Sequence, residues 1–178
     1  EIEAVCIIDT LRRAGTAVTV ASVEETLQIT ASRETKLVAD AKIAACADET
    51  FDLIALPGGM PGAEHLRDSE VLIDLLKVQR AAGRLYAAIC ASPAVALQPH
   101  GLLEGRRATC FPSFASRLEE DEAIDAAVDE RVVVDQRCVT SRGPGTAIEF
   151  ALALVALLYE EGTAAEIGEQ MQMPEGLI

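Results

Sequence analysis

A stretch of ten residues, from Leu85 to Ala94, most constrains the fold that this chain can adopt. It begins with an apolar run of strand length, Leu85 to Ile89, which ends at Cys90. Pro93 then stands where the first turn of a helix tolerates a residue without an N–H group. The pattern therefore predicts a strand, a tight turn that carries Cys90, and a helix.

The residues around Cys90 are small enough for such a turn. Ala88 and Ser92 lie two positions before and after it, and a sharp nucleophile elbow needs small side chains there to avoid a clash. The sulfur would lie above a helix N-terminus, whose free N–H groups and partial positive charge stabilise a thiolate. A buried structural cysteine is the competing interpretation, because free cysteine is among the most buried residue types.

Further apolar runs alternate with helical patterns along the chain. We expect helices over 1–14, 69–82, 145–160 and 163–171, and strands over 16–23, 27–30, 36–40, 51–56, 85–89, 107–111, 132–135 and 138–141. The last two strands are close enough in sequence to pair as a hairpin. Strands that alternate with helices across short loops predict an α/β fold, with a mostly parallel sheet covered by helices on both faces. We expect one domain over residues 1–178.

The same alternation predicts where a site would lie. In parallel sheets, sites gather at the carboxyl ends of the strands. Cys90 and the pair Gly58-Gly59 each follow directly after a predicted strand, so we expect them at one edge of the sheet. The chain opens on a helix, whereas a doubly wound sheet ordinarily begins with a strand. We therefore expect a first strand of about ten residues to precede residue 1.

Composition argues against several classes of function. The formal net charge of −14 disfavours sequence-independent nucleic-acid binding, which needs a basic surface. No apolar run approaches the ~18–20 residues of a membrane span. The cysteines are odd in number and form no C-x-x-C pair, which predicts neither a disulfide framework nor a zinc site; they are Cys6, Cys46, Cys90, Cys110 and Cys138. We expect a reducing, cytoplasmic location, or a plastid if a transit peptide precedes residue 1.

Five motifs, in order along nearly the whole chain, resemble one known family. They are Glu1-Ile-Glu-Ala4, Arg12-Arg-Ala-Gly15, Leu56-Pro-Gly-Gly59, Ala88-Ile-Cys-Ala91, and Thr140-Ser-Arg-Gly-Pro-Gly-Thr146 with Glu149-Phe150. The resemblance is to the ThiJ/PfpI superfamily and, within it, to the branch of the parkinsonism-associated DJ-one protein. The stretch from Ala108 to Ser113 looks most like plant, algal and bacterial members. The resemblance implies a flavodoxin-like fold, a homodimer, and a first strand just before the opening helix.

The resemblance also implies a function. It pairs a reactive cysteine at the elbow, Cys90, with a glutamate from the first helix, Glu3. Members are described as glyoxalases that need no cofactor or glutathione and act on methylglyoxal and glyoxal, and as protein deglycases. They are also described as holdase chaperones that bind unfolded clients and sense oxidation, which is the non-enzymatic alternative. Some relatives carry a histidine where this chain has Phe111, so we predict no Cys–His–acid triad, and Phe111 becomes a residue of the pocket.

The implied chemistry assigns a task to each candidate residue. Cys90 would add to the aldehyde of a dicarbonyl, and Glu3 would carry a proton between neighbouring carbons. Backbone N–H groups of Gly59 and Ala91, with Gly58 alongside, would hold the developing oxyanion at ~3 kcal/mol each. We expect Glu3 to be protonated beside a Cys90 thiolate. Taken alone, Glu3 is equally an acidic residue suited to the first turn of a helix, and Gly58-Gly59 could be only a turn.

Overall fold

The computed structural model describes residues 1–174, so the last four residues of the predicted domain lie outside the described part. Its helices are α1 (Ile2–Arg13), α2 (Gly62–Asp68), α3 (Glu70–Ala81), α4 (Ala115–Glu119), α5 (Ala147–Leu158) and α6 (Thr163–Gln170). Its strands are β1 (Ala21–Ser22), β2 (Gln28–Thr30), β3 (Lys36–Val38), β4 (Ala41–Lys42), β5 (Leu53–Leu56), β6 (Leu85–Ile89), β7 (Arg107–Ala108), β8 (Ala126–Ala127), β9 (Val132–Asp135) and β10 (Cys138–Ser141).

The central sheet has four strands in the order β5-β6-β10-β9. Strand β6 pairs in parallel with β5 and with β10, whereas β9 and β10 form an antiparallel hairpin. Short pairs, β1 with β4, β2 with β3 and β7 with β8, lie outside this sheet. The predicted mostly parallel sheet and its hairpin are confirmed.

Helices cover both faces of the central sheet. All five residues of β6 are buried, as expected for a strand with neighbours on both sides and a helical layer on each face. Tyr86 and Ala88 pack on the face covered by α3. Ala87 and Ile89 alternate with them and pack on the opposite face, against α1 and α5. The uninterrupted apolar run that predicts this strand is therefore explained by burial of both of its faces.

Two predicted strands are shorter in the structure because their backbone groups bond elsewhere. The prediction over 16–23 yields only β1, since the N–H of Val20 donates to the Asp40 carboxylate and the Arg12 guanidinium donates to the Val18 carbonyl. The prediction over 107–111 yields only β7, since the N–H of Thr109 donates to the Thr140 hydroxyl. The short helices α2 and α4 were not predicted.

The helix predicted after the elbow is not a regular α-helix. Residues Pro93–Leu97 form a π-helical turn, and Gln98–His100 continue it as a 3-10 turn. Pro99 has no N–H group with which to extend an α-helical ladder. The segment ends at Gly101, whose φ of 69° is left-handed. The turn over Cys90 therefore leads into a short segment of one π-helical and one 3-10 turn rather than a regular α-helix.

A large cavity lies beside the outer edge of β5. Its volume is about 1300 Å³, and its lining includes Val18, Val20, Leu53, Ile54 and Ala55 but not Cys90. Among residues 1–174, β6 is the one strand that pairs with β5. None of the described residues tests the strand that is predicted before residue 1, so this strand stays a prediction.

Candidate active site

Cys90 occupies the elbow that the sequence predicts, at the carboxyl end of β6. Its φ of 66° lies in the left-handed region, which is strained for a residue with a side chain. Backbone hydrogen bonds fix it on both sides: its N–H donates to the Ser141 carbonyl at 2.9 Å, and its carbonyl accepts from Phe111 at 2.7 Å. The Ser92 hydroxyl donates to the Pro57 carbonyl at 2.6 Å, which ties the elbow to the glycine loop.

Gly58 allows the glycine loop to approach the elbow closely. A Cβ atom at this position would lie 2.6 Å from Cβ of Cys90 and 2.9 Å from the nitrogen of Ala91. Such distances are too short for any side chain, so only glycine fits. The pair Gly58-Gly59 is therefore more than a turn, since it forms one wall of the site.

Glu3 reaches this wall from the first turn of α1. Its side chain is buried, with 5% of the residue exposed. The N–H of Gly58 donates to its Oε2 at 2.7 Å. Its Oε1 is also buried and accepts no conventional hydrogen bond from any atom of residues 1–174. The carboxyl interacts with the Cys90 thiol, so Glu3 is buried against the sulfur rather than exposed as an ordinary first-turn acid.

The surroundings of Cys90 favour the neutral form of its thiol. Burial, followed by the Glu3 carboxylate, raises the pKa of the Cys90 thiol to about 12. The N–H groups of Gly59 and Ala91 bond to the sulfur and lower the pKa, but by less. The sequence predicts a thiolate stabilised by a helix N-terminus; desolvation and a nearby negative charge outweigh that effect here. Cys90 therefore rests as a neutral thiol beside the Glu3 carboxyl.

Phe111 and Gly143 form the other wall. A Cβ atom on Gly143 would lie 3.2 Å from Cδ2 of Phe111 and 3.9 Å from Sγ of Cys90. Gly143 therefore leaves space between the ring and the sulfur. Sequence reasoning quoted this glycine within a motif but gave it no role in the site. Its position directly after β10, which pairs with the strand leading into Cys90, is the signal that could have found it.

The tip of the β2–β3 hairpin borders the site. Both carboxylate oxygens of Glu1 accept from this tip, from Ser32 at 3.4 Å and from Thr35 at 3.1 Å. Ser32 Oγ lies 3.0 Å from the position that a Cβ of Gly59 would take. Glu1 therefore holds the hairpin against the glycine loop, which is a role distinct from that of Glu3.

The remaining polar candidates lie in ordinary contacts. Arg13 pairs with Asp9 one helical turn away, and Arg142 pairs with Asp129. The histidines also bond elsewhere: His65 contacts Glu24, and His100 contacts the Arg67 carbonyl. Arg33 donates to the carbonyl of its neighbour Ser32.

Two features are absent from residues 1–174. Within this range, His, Cys, Asp and Glu side chains form no group of three or more that could hold a metal ion. No helix in the same range is both long and apolar enough to cross a membrane.

The candidate residues therefore converge on one place. Cys90, Glu3, Gly58, Gly59, Ala91 and Phe111 come from α1, from the loop after β5, from the elbow after β6 and from the segment after β7. Cys90 is 9% exposed, so the residue is shielded but not fully buried. A buried thiol with an adjacent carboxyl and two backbone donors can add to a carbonyl, move a proton and hold an oxyanion.

Comparisons with known proteins agree with this geometry. Residues 1–157 match the model of the DJ-1/PfpI family. The solved structure "Toxoplasma gondii DJ-1, oxidized" is 51% identical, with a TM-score of 0.92 over 97% of this chain and 91% of that one. "Protein DJ-1 homolog B" of Arabidopsis thaliana is 48% identical over 89% of this chain.

The share of each relative's length that the chain covers differs between relatives. The chain spans 35% of the length of the Arabidopsis protein and 42% of its homolog A. A Caenorhabditis elegans protein named "Glutathione-independent glyoxalase DJR-1.2" is 37% identical over 89% of this chain and 82% of its own length. The family match covers most of the described residues, and the fold and the elbow agree with it. The chain belongs to the DJ-1/PfpI family.

Proposed function

We propose that the chain is a glyoxalase that needs neither cofactor nor glutathione. It converts methylglyoxal to lactate and glyoxal to glycolate, with Cys90 as the nucleophile and Glu3 as the general acid and base. The observation that carries the proposal is the buried contact between the Glu3 carboxyl and the Cys90 thiol. The name of the C. elegans relative supports the same class of activity.

The first step starts from the neutral Cys90 thiol. Because burial and the Glu3 carboxylate raise the pKa of Cys90 to about 12, the resting thiol carries the proton. As the sulfur attacks the aldehyde carbon, Glu3 takes this proton, and the new hemithioacetal oxygen receives one in turn. The N–H groups of Gly59 and Ala91, which point at the sulfur, are positioned to stabilise the oxyanion formed beside it.

The second step is a proton transfer between two carbons. Glu3 removes the proton from the hemithioacetal carbon, and protonation of the ketone oxygen gives an enediol. Glu3 then returns its proton to the former ketone carbon, while the hemithioacetal hydroxyl loses its proton and becomes the thioester carbonyl. One carboxylate suffices because both carbons lie within its reach on a three-carbon substrate. The N–H of Gly58 fixes Oε2, so Oε1 is the oxygen free to carry the proton. Water then hydrolyses the thioester, releases the hydroxy acid and restores the thiol.

The test is lactate formation from methylglyoxal by the purified chain without added thiol. The wild type should produce lactate, and Cys90→Ser and Glu3→Gln should each abolish production. Glu1→Gln is the matched control, because Glu1 is also an acid at the start of the chain but bonds to Ser32 and Thr35. Equal loss in Glu1→Gln and Glu3→Gln would contradict the assigned role of Glu3.

A redox-responsive holdase chaperone is the second candidate. The groups around Cys90 that would hold an oxyanion, the N–H groups of Gly59 and Ala91, would equally hold the oxygens of a sulfinate. This function predicts that the chain suppresses aggregation of an unfolded client and that peroxide treatment changes the effect. Suppression that survives Cys90→Ser would separate the chaperone role from the enzymatic one.

The homodimer, the deglycase activity and the cytoplasmic location complete the proposal. Helix α1 presents two exposed apolar side chains, Ile2 at 58% and Val5 at 47%. A second copy of the chain packed on this helix would bury them. Sedimentation of the wild type and of Ile2→Asp tests this arrangement, since the charge should favour the monomer.

A further inference from the structure

Two residues that adjoin backbone groups bonded to Cys90 have exposed apolar side chains. Met60 and Phe111 are each 39% exposed, although both are large and hydrophobic. Met60 directly follows Gly59, whose N–H bonds to the sulfur. Phe111 donates its own N–H to the carbonyl of Cys90 at 2.7 Å. These two exposed side chains, Met60 and Phe111, are defined here as the apolar rim.

The ring of Phe111 is held in place beside the sulfur. Gly143 leaves open the space between the ring and Sγ, since a Cβ there would lie 3.2 Å from the ring and 3.9 Å from the sulfur. The Phe111 carbonyl accepts from the N–H of Phe114 at 2.9 Å, and Phe114 packs against buried Ala91. The chain has only six aromatic residues, four Phe and two Tyr, so two of them in this single turn is a marked concentration.

Charge disfavours an anionic substrate at this rim. The chain carries a formal charge of −14, which repels carboxylates and phosphates from its surface. Arg142, the residue before Gly143, is already paired with Asp129. A neutral substrate with an apolar substituent fits these surroundings better than an acidic one.

We propose that the rim binds the substituent of the substrate and makes the site selective for 2-oxoaldehydes that carry an alkyl or aryl group. This inference rests on the proposed glyoxalase function and names its substrate class. The aldehyde carbon binds to the sulfur, and the group on the ketone carbon lies against Phe111 and Met60. Phenylglyoxal and one water then give mandelate, as methylglyoxal and one water give lactate. Glyoxal has no substituent and gains nothing from the rim.

The test compares kcat/KM for phenylglyoxal, methylglyoxal and glyoxal. Stacking or burial of one substituent on a half-exposed ring should be worth about tenfold in the ratio of phenylglyoxal to glyoxal. Phe111→Ala should lower this ratio by about tenfold and Met60→Ala by about threefold. Val78→Ala is the matched control, because Val78 is 57% exposed on α3, away from the rim.

A second readout keeps the inference testable without turnover. Cys90 is alkylated with N-phenylmaleimide and, separately, with iodoacetamide, and the ratio of the first rate to the second is measured. This ratio should fall in Phe111→Ala and not in Val78→Ala. If the kcat/KM ratio and the alkylation ratio both stayed unchanged in Phe111→Ala, the proposed role of the rim would be wrong, even if Cys90→Ser still abolished lactate formation. No turnover of any dicarbonyl, with the alkylation ratio still dependent on Phe111, would instead remove the glyoxalase proposal. Dissociation of a dimer in Phe111→Ala, with all rates falling together, would assign the ring to a contact between copies.

Discussion

Two thiols at opposite ends of the same pair of strands show what makes a cysteine useful for chemistry. Cys138 begins β10 and pairs in register with Tyr86 near the start of β6, whereas Cys90 follows the end of β6. Burial is the largest cause in both cases, and it raises the pKa of each thiol to about 12. Acidity in the resting protein therefore does not distinguish the two residues.

The difference lies in what each sulfur contacts. Cys138 is 1% exposed and bonds to the Tyr86 hydroxyl, so neither a substrate nor a strong base reaches it. Cys90 is 9% exposed and faces the Glu3 carboxyl and two backbone N–H groups. The strained elbow and the carboxyl ends of three parallel strands bring these groups together. A proton acceptor and an approach route, rather than a low resting pKa, distinguish the candidate nucleophile from a structural thiol.

The largest expected effect comes from removing the Cys90 thiol, compared with removing the Cys138 thiol. Cys90→Ala should reduce lactate formation by about 10³-fold or more, because the covalent intermediate cannot form. Cys138→Ala should leave kcat/KM within about twofold and lower the free energy of unfolding by about 1–2 kcal/mol, since a buried sulfur leaves a small cavity. Lactate assays and urea unfolding of both variants measure this contrast. Comparable loss of activity in the two variants would end the distinction between the two ends of the sheet.

Removing the proton acceptor should have the next largest effect. Glu3→Gln keeps an oxygen that can accept from the N–H of Gly58 but cannot carry a proton, so we expect kcat to fall by about 10²–10⁴-fold. Circular dichroism should show an unchanged fold. If Glu3→Gln retained wild-type kcat, the neighbouring carboxyl would not matter, and Cys90 would differ from Cys138 only in its exposure to solvent.

The close packing at the elbow gives a third contrast, between two glycines. Gly58→Ala would place a Cβ 2.6 Å from Cβ of Cys90 and should cost about 2 kcal/mol of stability together with most of the activity. Gly62→Ala meets no atom within 4 Å at the start of α2 and should be neutral or slightly stabilising. Urea midpoints of both variants check this. Equal midpoints would mean that the glycine loop moves away from the elbow at little cost.

The sequence predicted most of what lies near Cys90 and less of what lies far from it. Strands β5, β6, β9 and β10 follow from apolar runs, and the elbow follows from Ala88, Ser92 and Pro93, because these signals are local. The pairing of Glu3 with Cys90 came from the family resemblance, since the two residues are far apart in sequence. The closeness of Gly143 to the ring of Phe111 could not be predicted, because it depends on how β10 and the segment after β7 meet in space.

The pKa of Cys90 shows the same limit of prediction from local sequence. A helix N-terminus is visible in the sequence and predicts a stabilised thiolate, but desolvation depends on the whole fold. The segment after the elbow is also a π-helical and a 3-10 turn, rather than the α-helix whose dipole the prediction assumed. Burial and the carboxylate reverse the predicted direction.

The smallest expected effect tests the Cys138 end by pH. Burial raises the pKa of Cys138 from 9.0 to about 12, so the unfolded chain loses this proton at lower pH than the folded one. The stabilisation is complete below about pH 9 and is lost as the pH rises toward 12, by roughly 1 kcal/mol per pH unit. Urea unfolding at pH 8, 9 and 10 should therefore show a shallower alkaline decline in Cys138→Ala than in the wild type. Cys90→Ala should flatten the decline to a similar extent, because burial, followed by the Glu3 carboxylate, raises the pKa of its thiol to about 12 as well. A decline as steep in Cys138→Ala as in the wild type would mean that burial does not hold this thiol neutral.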